Sequence, residues 1–282
     1  MFTLRFDMRA PAGGAPASSL YPAALDMAAW AESRGLILLV VSEHHAAEDG
    51  YLPSPLPMAA ALAARTTSVP IAVSALILPL YNPVRLAEDI GVLDHLSGGR
   101  ISYTLGVGYR PEEFESLGVD YHRRGELAEA HLTVLLKALD GAPFYDDERG
   151  VLVRPAPERK VRLSYGGGTP RAARRAARFG LGFNAQNNLP ELADAYYDEC
   201  ARQGRVPGRM QQPRPGFPTT VFVADDVDRA WDEIGPYLLH DAMTYADGHH
   251  DPHIVSLSTA QTIDALRAEN GSHRIYSVDQ AI

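Results

Sequence analysis

The chain has 282 residues, of which 46% are apolar and 22% charged, with a formal net charge of −9. That composition supplies a large core and argues against disorder, and the acidic balance argues against nucleic-acid or anionic-membrane partners. Cys200 is the only cysteine, which rules out an intrachain disulfide and a thiolate metal cluster, and no apolar run approaches the ~20 residues of a membrane span.

The start, Met1 to Asp7, lacks the basic-then-apolar layout of a signal peptide, so the expected compartment is the cytoplasm. Phe2 to Met8 alternates Phe2, Leu4, Phe6 and Met8 and reads as a first strand. A helix follows, with Leu20, Ala24, Leu25, Ala28 and Ala31 at helical spacing and Gly35 as its stop. Leu36 to Val41 is a continuous apolar run, the mark of a strand buried on both faces of a parallel sheet. It ends in Ser42-Glu43-His44-His45. Three prolines then hold the chain extended until an Ala-rich helix, Met58 to Arg65. Pro70 opens a third strand, Ile71 to Leu78, and Asn82-Pro83 starts a helix that stops at Gly98-Gly99.

A fourth strand, Ile101 to Gly106, leads into a long loop through Asp120, Tyr121 and Arg124, then a helix from Glu126 to Leu139. Ala142 to Arg159 reads as an inserted excursion. The fifth strand is Val161 to Tyr165, the sixth Gly182 to Ala185, and the seventh Thr219 to Ala224; helices run over Arg171 to Phe179, Pro190 to Gln203 and Val227 to Tyr245. Arg205 to Pro218 is a second excursion. Ile254 to Leu257 is at best a weak eighth strand, and Ser272 to Ile282 reads as a tail. Alternating strands and helices, with glycine at nearly every helix end, point to a (β/α)8 TIM barrel whose eighth strand is degenerate or missing from the sequence. No composition shift divides residues 1–282, so one domain is expected.

In such sheets ligands bind beyond the carboxyl ends of the strands. His44 and His45 stand there, and a neutral imidazole can act as a base or hydrogen-bond donor, with Glu43 in reach to orient it. Adjacent side chains point to opposite sides, so one His is expected to be structural. The spacing does not suit a metal, and none is expected. His249, His250 and His253 read as surface residues. Gly166-Gly167-Gly168-Thr169-Pro170 joins a strand to a helix: either a phosphate-binding turn or a simple tight turn. Arg171, Arg174, Arg175 and Arg178 share a helix face read as solvated. Gly106-Val107-Gly108-Tyr109 opens the backbone beside a flat ligand, or is only a turn. Ser74 and Ala75 are small residues that leave room for a planar ring, or form a narrow packing layer.

Taken together, Glu43-His44-His45, Leu78-Pro79, Asn82-Pro83-Val84-Arg85, Ala87-Glu88-Asp89, Leu93-Asp94 and Ser97-Gly98-Gly99-Arg100 resemble the bacterial luciferase-like monooxygenase family. Gly106-x-Gly108 and Gly166-Gly167-Gly168 also fit. The resemblance implies a TIM barrel that binds reduced FMN, or alternatively the deazaflavin coenzyme F-420, at the carboxyl ends of its strands. It implies homodimers, His44 as the catalytic histidine, and a non-prolyl cis peptide at Ser74-Ala75 under the ring. Gly106 and Gly108 then border the ring, and Gly167, Gly168 and Thr169 match the phosphate-binding turn. Glu88 and Asp89 match a pair near the dimer interface. Luciferase itself has a Cys and a basic residue where this chain has Gly106 and Val107, so light emission is not implied. The expected activity is monooxygenation of a small organic substrate with reduced FMN from a separate flavin reductase. The alternatives are F-420-dependent hydride transfer and a non-catalytic flavin-binding partner subunit.

Overall fold

Seven parallel strands lie side by side in chain order: β1 (Phe2–Phe6), β2 (Leu36–Val41), β3 (Ile71–Ile77), β4 (Ile101–Gly106), β5 (Arg162–Gly167), β6 (Gly182–Ala185) and β7 (Met210–Gln211). The helices between them are α1 (Ala17–Glu32), α2 (Pro55–Arg65), α3 (Pro83–Ser97), α4 (Pro111–Ser116), α5 (Arg124–Leu139), α6 (Pro170–Arg178) and α7 (Pro190–Arg202). A second pair of strands, β8 (Thr220–Val223) and β9 (His273–Tyr276), forms its own parallel ladder, with α8 (Val227–Asp247) and α9 (Ile263–Glu269) between them in sequence. This is a computed structural model and describes residues 1–144, 150–247 and 253–282. The His249-His250 pair and residues 145–149 of the first excursion lie outside the described residues; His253 is exposed. Among the described residues no helix is long and apolar enough to cross a membrane.

The seven-stranded sheet curls into a half-barrel, a TIM barrel that lacks a strand. Three expectations about its closing end need correction. Thr219 to Ala224 is a strand, but it pairs with His273–Tyr276 and not with the main sheet. The presumed tail therefore supplies a strand. The seventh strand of the sheet is the two-residue Met210–Gln211, inside the stretch read as an excursion. Ile254 makes only a single antiparallel bridge, to Asn187. Short strands of this kind carry too few residues for a period of two to show.

The register fixes two different sheet faces. Leu39, Val41, Ile71, Val73, Leu105, Tyr165 and Phe183 are fully buried and pack under the helices. Each such side chain contributes roughly 2 kcal/mol of burial. Between them stand Val40, Ala72, Ser74, Ser102, Thr104, Ser164, Gly166 and Asn184, which by the strand alternation point to the concave side. A closed barrel fills this side with branched aliphatics. Here it is small and polar.

Charges, not a ladder, tie α8 and β9 to the end of β1. Arg9 Nη1 meets Asp49 Oδ2 at 2.6 Å, and Arg9 Nε meets Asp241 Oδ1 at 3.4 Å. His240 Nε2 reaches Asp49 at 2.8 Å, and His273 Nε2 reaches Asp241 at 2.9 Å. A small apolar cluster of Trp231, Leu238, Ala242, Ala260, Leu266 and Ile275 packs this part together.

The family motif residues outside the strands are largely structural. Arg100 bonds the carbonyls of Ala63, Thr66, Val69 and Ser97, locking α2 and α3 to β4. Gly98 and Gly99 both have positive φ at the end of α3, which glycine alone adopts without cost. Glu32, at the end of α1, accepts the backbone N–H groups of Thr67, Ser68 and Val69 before β3. Burial raises its pKa, but these bonds outweigh burial and hold the carboxyl down to about 2. Because the folded value is depressed, its stabilisation is present above the ordinary carboxyl pKa and disappears as pH falls toward about 2. Discounted for solvent screening, Glu32→Gln is expected to cost about 1–2 kcal/mol at pH 7 and nothing near pH 2. Urea unfolding of both proteins at the two pH values checks this.

Candidate active site at the carboxyl ends of the strands

β2 runs straight into Glu43, His44 and His45, so strand alternation places successive side chains on opposite sides. The two histidines have separate carboxylate partners. His44 Nδ1–H donates to Glu113 Oε1 at 2.7 Å, and the backbone N–H of His45 donates to the same oxygen at 3.1 Å. His45 Nε2–H donates to Glu43 Oε1 at 2.7 Å. Glu43 also accepts from Ile77 N at 2.8 Å and Tyr81 Oη at 2.9 Å. Both carboxylates are fully buried, whereas the side chain of His44 keeps 14% exposure. Glu43 therefore orients His45, not His44. Its hydrogen bond raises the His45 pKa, against a smaller opposing effect of burial.

A carboxylate only accepts, so Glu113 fixes the proton of neutral His44 on Nδ1. Nε2 is then the lone-pair nitrogen, and Tyr109 Oη lies 3.3 Å from it. Burial pushes the Tyr109 phenol up from its ordinary pKa, with Tyr245 adding to the shift, so it stays a neutral donor. Tyr51 and Tyr109 pack edge-on against the imidazole at centroid distances of 4.7 and 5.5 Å. Glu113 Oε2 is buried without a hydrogen-bond partner among the described residues. The arrangement leaves His44 Nε2 beside the Tyr109 hydroxyl on a partly exposed ring, backed at Nδ1 by a buried carboxylate. It can take a proton and return it.

Glu113 lies 69 residues from His44 in sequence. It sits in the first turn of α4, within a stretch the sequence reads as loop. Arg110-Pro111-Glu112-Glu113 did carry a signal: proline at the first helical position followed by acidic residues. Gly108 brings α4 close. Its φ is +75°, and a Cβ there would lie 2.7 Å from Ile77 Cγ2 and 2.8 Å from Phe114 Cε2.

The small residues line up beside this pair. The peptide bond between Ser74 and Ala75 is cis, and the β3–β4 register shifts there. A Cβ on Gly106 would stand 3.6 Å from Ala75 Cβ, so Gly106 leaves that floor open. Gly167 ends β5, and Gly168 follows it before Thr169, which caps α6 by accepting from Ala172 N at 3.2 Å. A Cβ on Gly167 would stand 2.6 Å from Ala172 Cβ, and one on Gly168 would stand 3.3 Å from Asn187 Nδ2 and Gln186 Oε1. The turn thus lies tight against α6, with the carbonyls of Gly167 and Gly168 accepting from Gln186 N at 3.0 Å and Asn187 Nδ2 at 3.2 Å. The arginine face of α6 needs correcting. Arg175 is only 3% exposed and bonds Glu129 at 2.9 Å and Tyr165 Oη at 3.3 Å. Glu88 and Asp89 pair with Arg85 on α3 at 3.6 and 3.3 Å.

Residues 4–274 match the family model described as luciferase-like monooxygenase. The chain is 36% identical over 110 residues to a 4-hydroxyprotoasukamycin monooxygenase of Streptomyces nodosus subsp. asukaensis, spanning 39% of this chain and 29% of that one. It spans about a third of the length of the curated relatives it matches. Among solved structures it resembles the oxygenating constituent of 3,6-diketocamphane monooxygenase from Pseudomonas putida in complex with FMN, at 18% identity and TM-score 0.66, covering 98% of this chain and 90% of that one. It also resembles an F420-dependent secondary alcohol dehydrogenase in complex with an F420-acetone adduct, at 16% identity and TM-score 0.71, covering 99% and 86%. At those identities the likeness concerns the fold. The family match covers nearly the whole chain, and the chain belongs to the luciferase-like monooxygenase family.

Proposed function

We propose that the protein is a flavin-dependent oxidoreductase, and within that class a monooxygenase that uses reduced FMN and O2 on a small organic substrate. The observation that carries this reading is the His44–Glu113 pair, 2.7 Å apart, at the carboxyl ends of β2 and β4. The residues beside it fit a flat, phosphate-bearing cofactor: an open floor at Ser74, Ala75 and Gly106, a close turn at Gly108, and a glycine strand-to-helix turn at Gly167, Gly168 and Thr169. The N-terminus of α6 favours an anion there. Reduced FMN would supply the electrons for oxygen activation. His44 would hold or move a proton at Nε2, Glu113 would keep the ring in that tautomer, and Tyr51 and Tyr109 would shield it from water.

An open cleft of about 360 Å³ lies between Asn188-Leu189, Pro215-Gly216 and His253 to Val255, after the carboxyl end of β6. Its size suits a small organic substrate. The chain is proposed to draw reduced FMN from a separate reductase in the cytoplasm and to form a homodimer. Val92 and Leu96 of α3 are exposed apolar residues that a dimer would cover; light scattering of the purified protein tests this, with a monomer overturning it. A second reading, F-420-dependent hydride transfer, draws on the fold of the alcohol dehydrogenase and on exposed Arg171 after the glycine turn.

The test is a fluorescence titration with FMN, anaerobically reduced FMN and F-420, followed by oxygen uptake. Preference for reduced FMN with oxygen consumption supports the monooxygenase, and preference for F-420 without oxygen consumption supports the second reading. Absence of binding to all three overturns both. His44→Ala is expected to lower oxygen-dependent turnover about 10²-fold or more, with affinity for reduced FMN changed less than about threefold.

A further inference from the structure

On the concave face, Thr104 of β4, Ser164 of β5 and Asn184 of β6 form a closed hydrogen-bonded ring. Thr104 Oγ1 and Ser164 Oγ are 3.0 Å apart, and Asn184 Nδ2 lies 2.9 Å from the first and 3.0 Å from the second. Tyr103, Leu105, Tyr165 and Phe183, their neighbours along the strands, are buried under the helices, so the ring faces the hollow of the half-barrel. Ser74, at the cis peptide, pairs in register with Thr104, and Gly166 pairs with Asn184. The ring therefore adjoins the floor of the candidate site, strand by strand.

The hydrogen count determines what the ring offers. Three contacts need three hydrogens. With the amide nitrogen turned inward, Asn184 donates one hydrogen to each hydroxyl and one hydroxyl donates to the other. With the amide oxygen inward, only two hydroxyl hydrogens would serve three contacts, and one would be an oxygen–oxygen clash. The nitrogen is thus inward. Left over are one hydroxyl hydrogen, one hydroxyl lone pair and the carbonyl Oδ1 of Asn184, which has no partner among the described residues. Ser164 and Asn184 are only half-buried.

We infer that this ring recognises the imide edge of the cofactor, the adjacent C=O and N3–H groups that flavins and deazaflavins share. The free hydroxyl would donate to a ring carbonyl, and Asn184 Oδ1 would accept from N3–H. The inference rests on the flavin-binding reading above. Once the cofactor covers it, a donor–acceptor pair of this kind rejects a ligand that cannot complete both bonds.

The experiment compares the binding of FMN and N3-methyl-FMN to the intact protein by fluorescence quenching. FMN is expected to bind about tenfold more tightly or better, because methylation removes the donor and leaves Asn184 Oδ1 unpaired. Asn184→Ala, and Asn184→Leu as a variant of similar volume, should weaken FMN about tenfold and erase the preference. Equal binding of the two flavins by the unsubstituted protein overturns the inference while leaving the flavin reading intact. So does a preference that survives in either variant. Failure of the unsubstituted protein to bind any flavin overturns the flavin reading and this inference with it.

Discussion

Glu113→Ala is expected to lower oxygen-dependent turnover by roughly 10²- to 10³-fold while leaving the affinity for reduced FMN within about threefold. The carboxylate holds two donors, His44 Nδ1–H at 2.7 Å and His45 N–H at 3.1 Å. Without it the imidazole of His44 has no acceptor at Nδ1 and can turn or exchange tautomers, and the developing positive charge on the ring loses its counter-charge. Fold stability should change much less. Glu113 already buries Oε2 without a partner, an arrangement that is costly in itself, so removing it relieves one penalty as it creates others.

Glu113→Gln separates geometry from charge. The glutamine oxygen can still accept from His44, but the charge is gone and a buried amide N–H₂ takes the place of Oε2. Turnover should fall by roughly tenfold, between the wild type and the alanine variant. The measurements are oxygen uptake and flavin fluorescence on the three proteins. If the alanine variant turns over as fast as wild type, Glu113 is only a packing residue and His44 acts without it.

Much of the first six βα units is legible along the chain, because β2 and β3 are runs of mostly apolar residues, β1 alternates, and most of the helices are followed closely by glycine. Leu36 to Val41 shows this: its continuous apolar run announces a strand buried on both faces, and Ser42 to His45 announces its end. The closing end is not legible for a physical reason. Thr219 to Ala224 has strand character whichever partner it takes, and nothing in one strand's side chains names the other. Met210–Gln211 is too short for any period, and its pairing with β6 is set by tertiary position. The candidate site divides the same way. That a histidine stands at the end of β2 follows from sequence, but its partner does not. Glu43 adjoins both histidines in sequence, yet alternation carries its side chain toward His45, while the partner of His44 arrives from α4 across 69 residues. The Thr104–Ser164–Asn184 ring was equally hidden. Each residue is an ordinary small polar residue in its own strand, and only the register assembles the three.

Glu43→Ala is expected to be the most destabilising single substitution around the site, at about 3–5 kcal/mol. Its side chain is fully buried and meets three donors: Ile77 N at 2.8 Å, Tyr81 Oη at 2.9 Å and His45 Nε2 at 2.7 Å. Alanine leaves all three without an acceptor, and the N–H of Ile77 sits at the end of β3, next to the cis peptide and Gly108, where water has little room to replace the carboxylate. At about 2–4 °C per kcal/mol, the melting temperature should fall by roughly 10 °C. The pH dependence identifies the cause. The hydrogen bond to Glu43 raises the His45 pKa above its unfolded value, so the stabilisation from a charged His45 is fully present below about pH 6.5 and is lost as pH rises through the folded value. Wild type should therefore gain stability between pH 8.5 and pH 6 relative to Glu43→Ala, with the gap between the two melting curves wider at pH 6. A gap that is the same at both pH values would mean that His45 carries no charge in the folded protein, and that Glu43 serves only Ile77 and Tyr81.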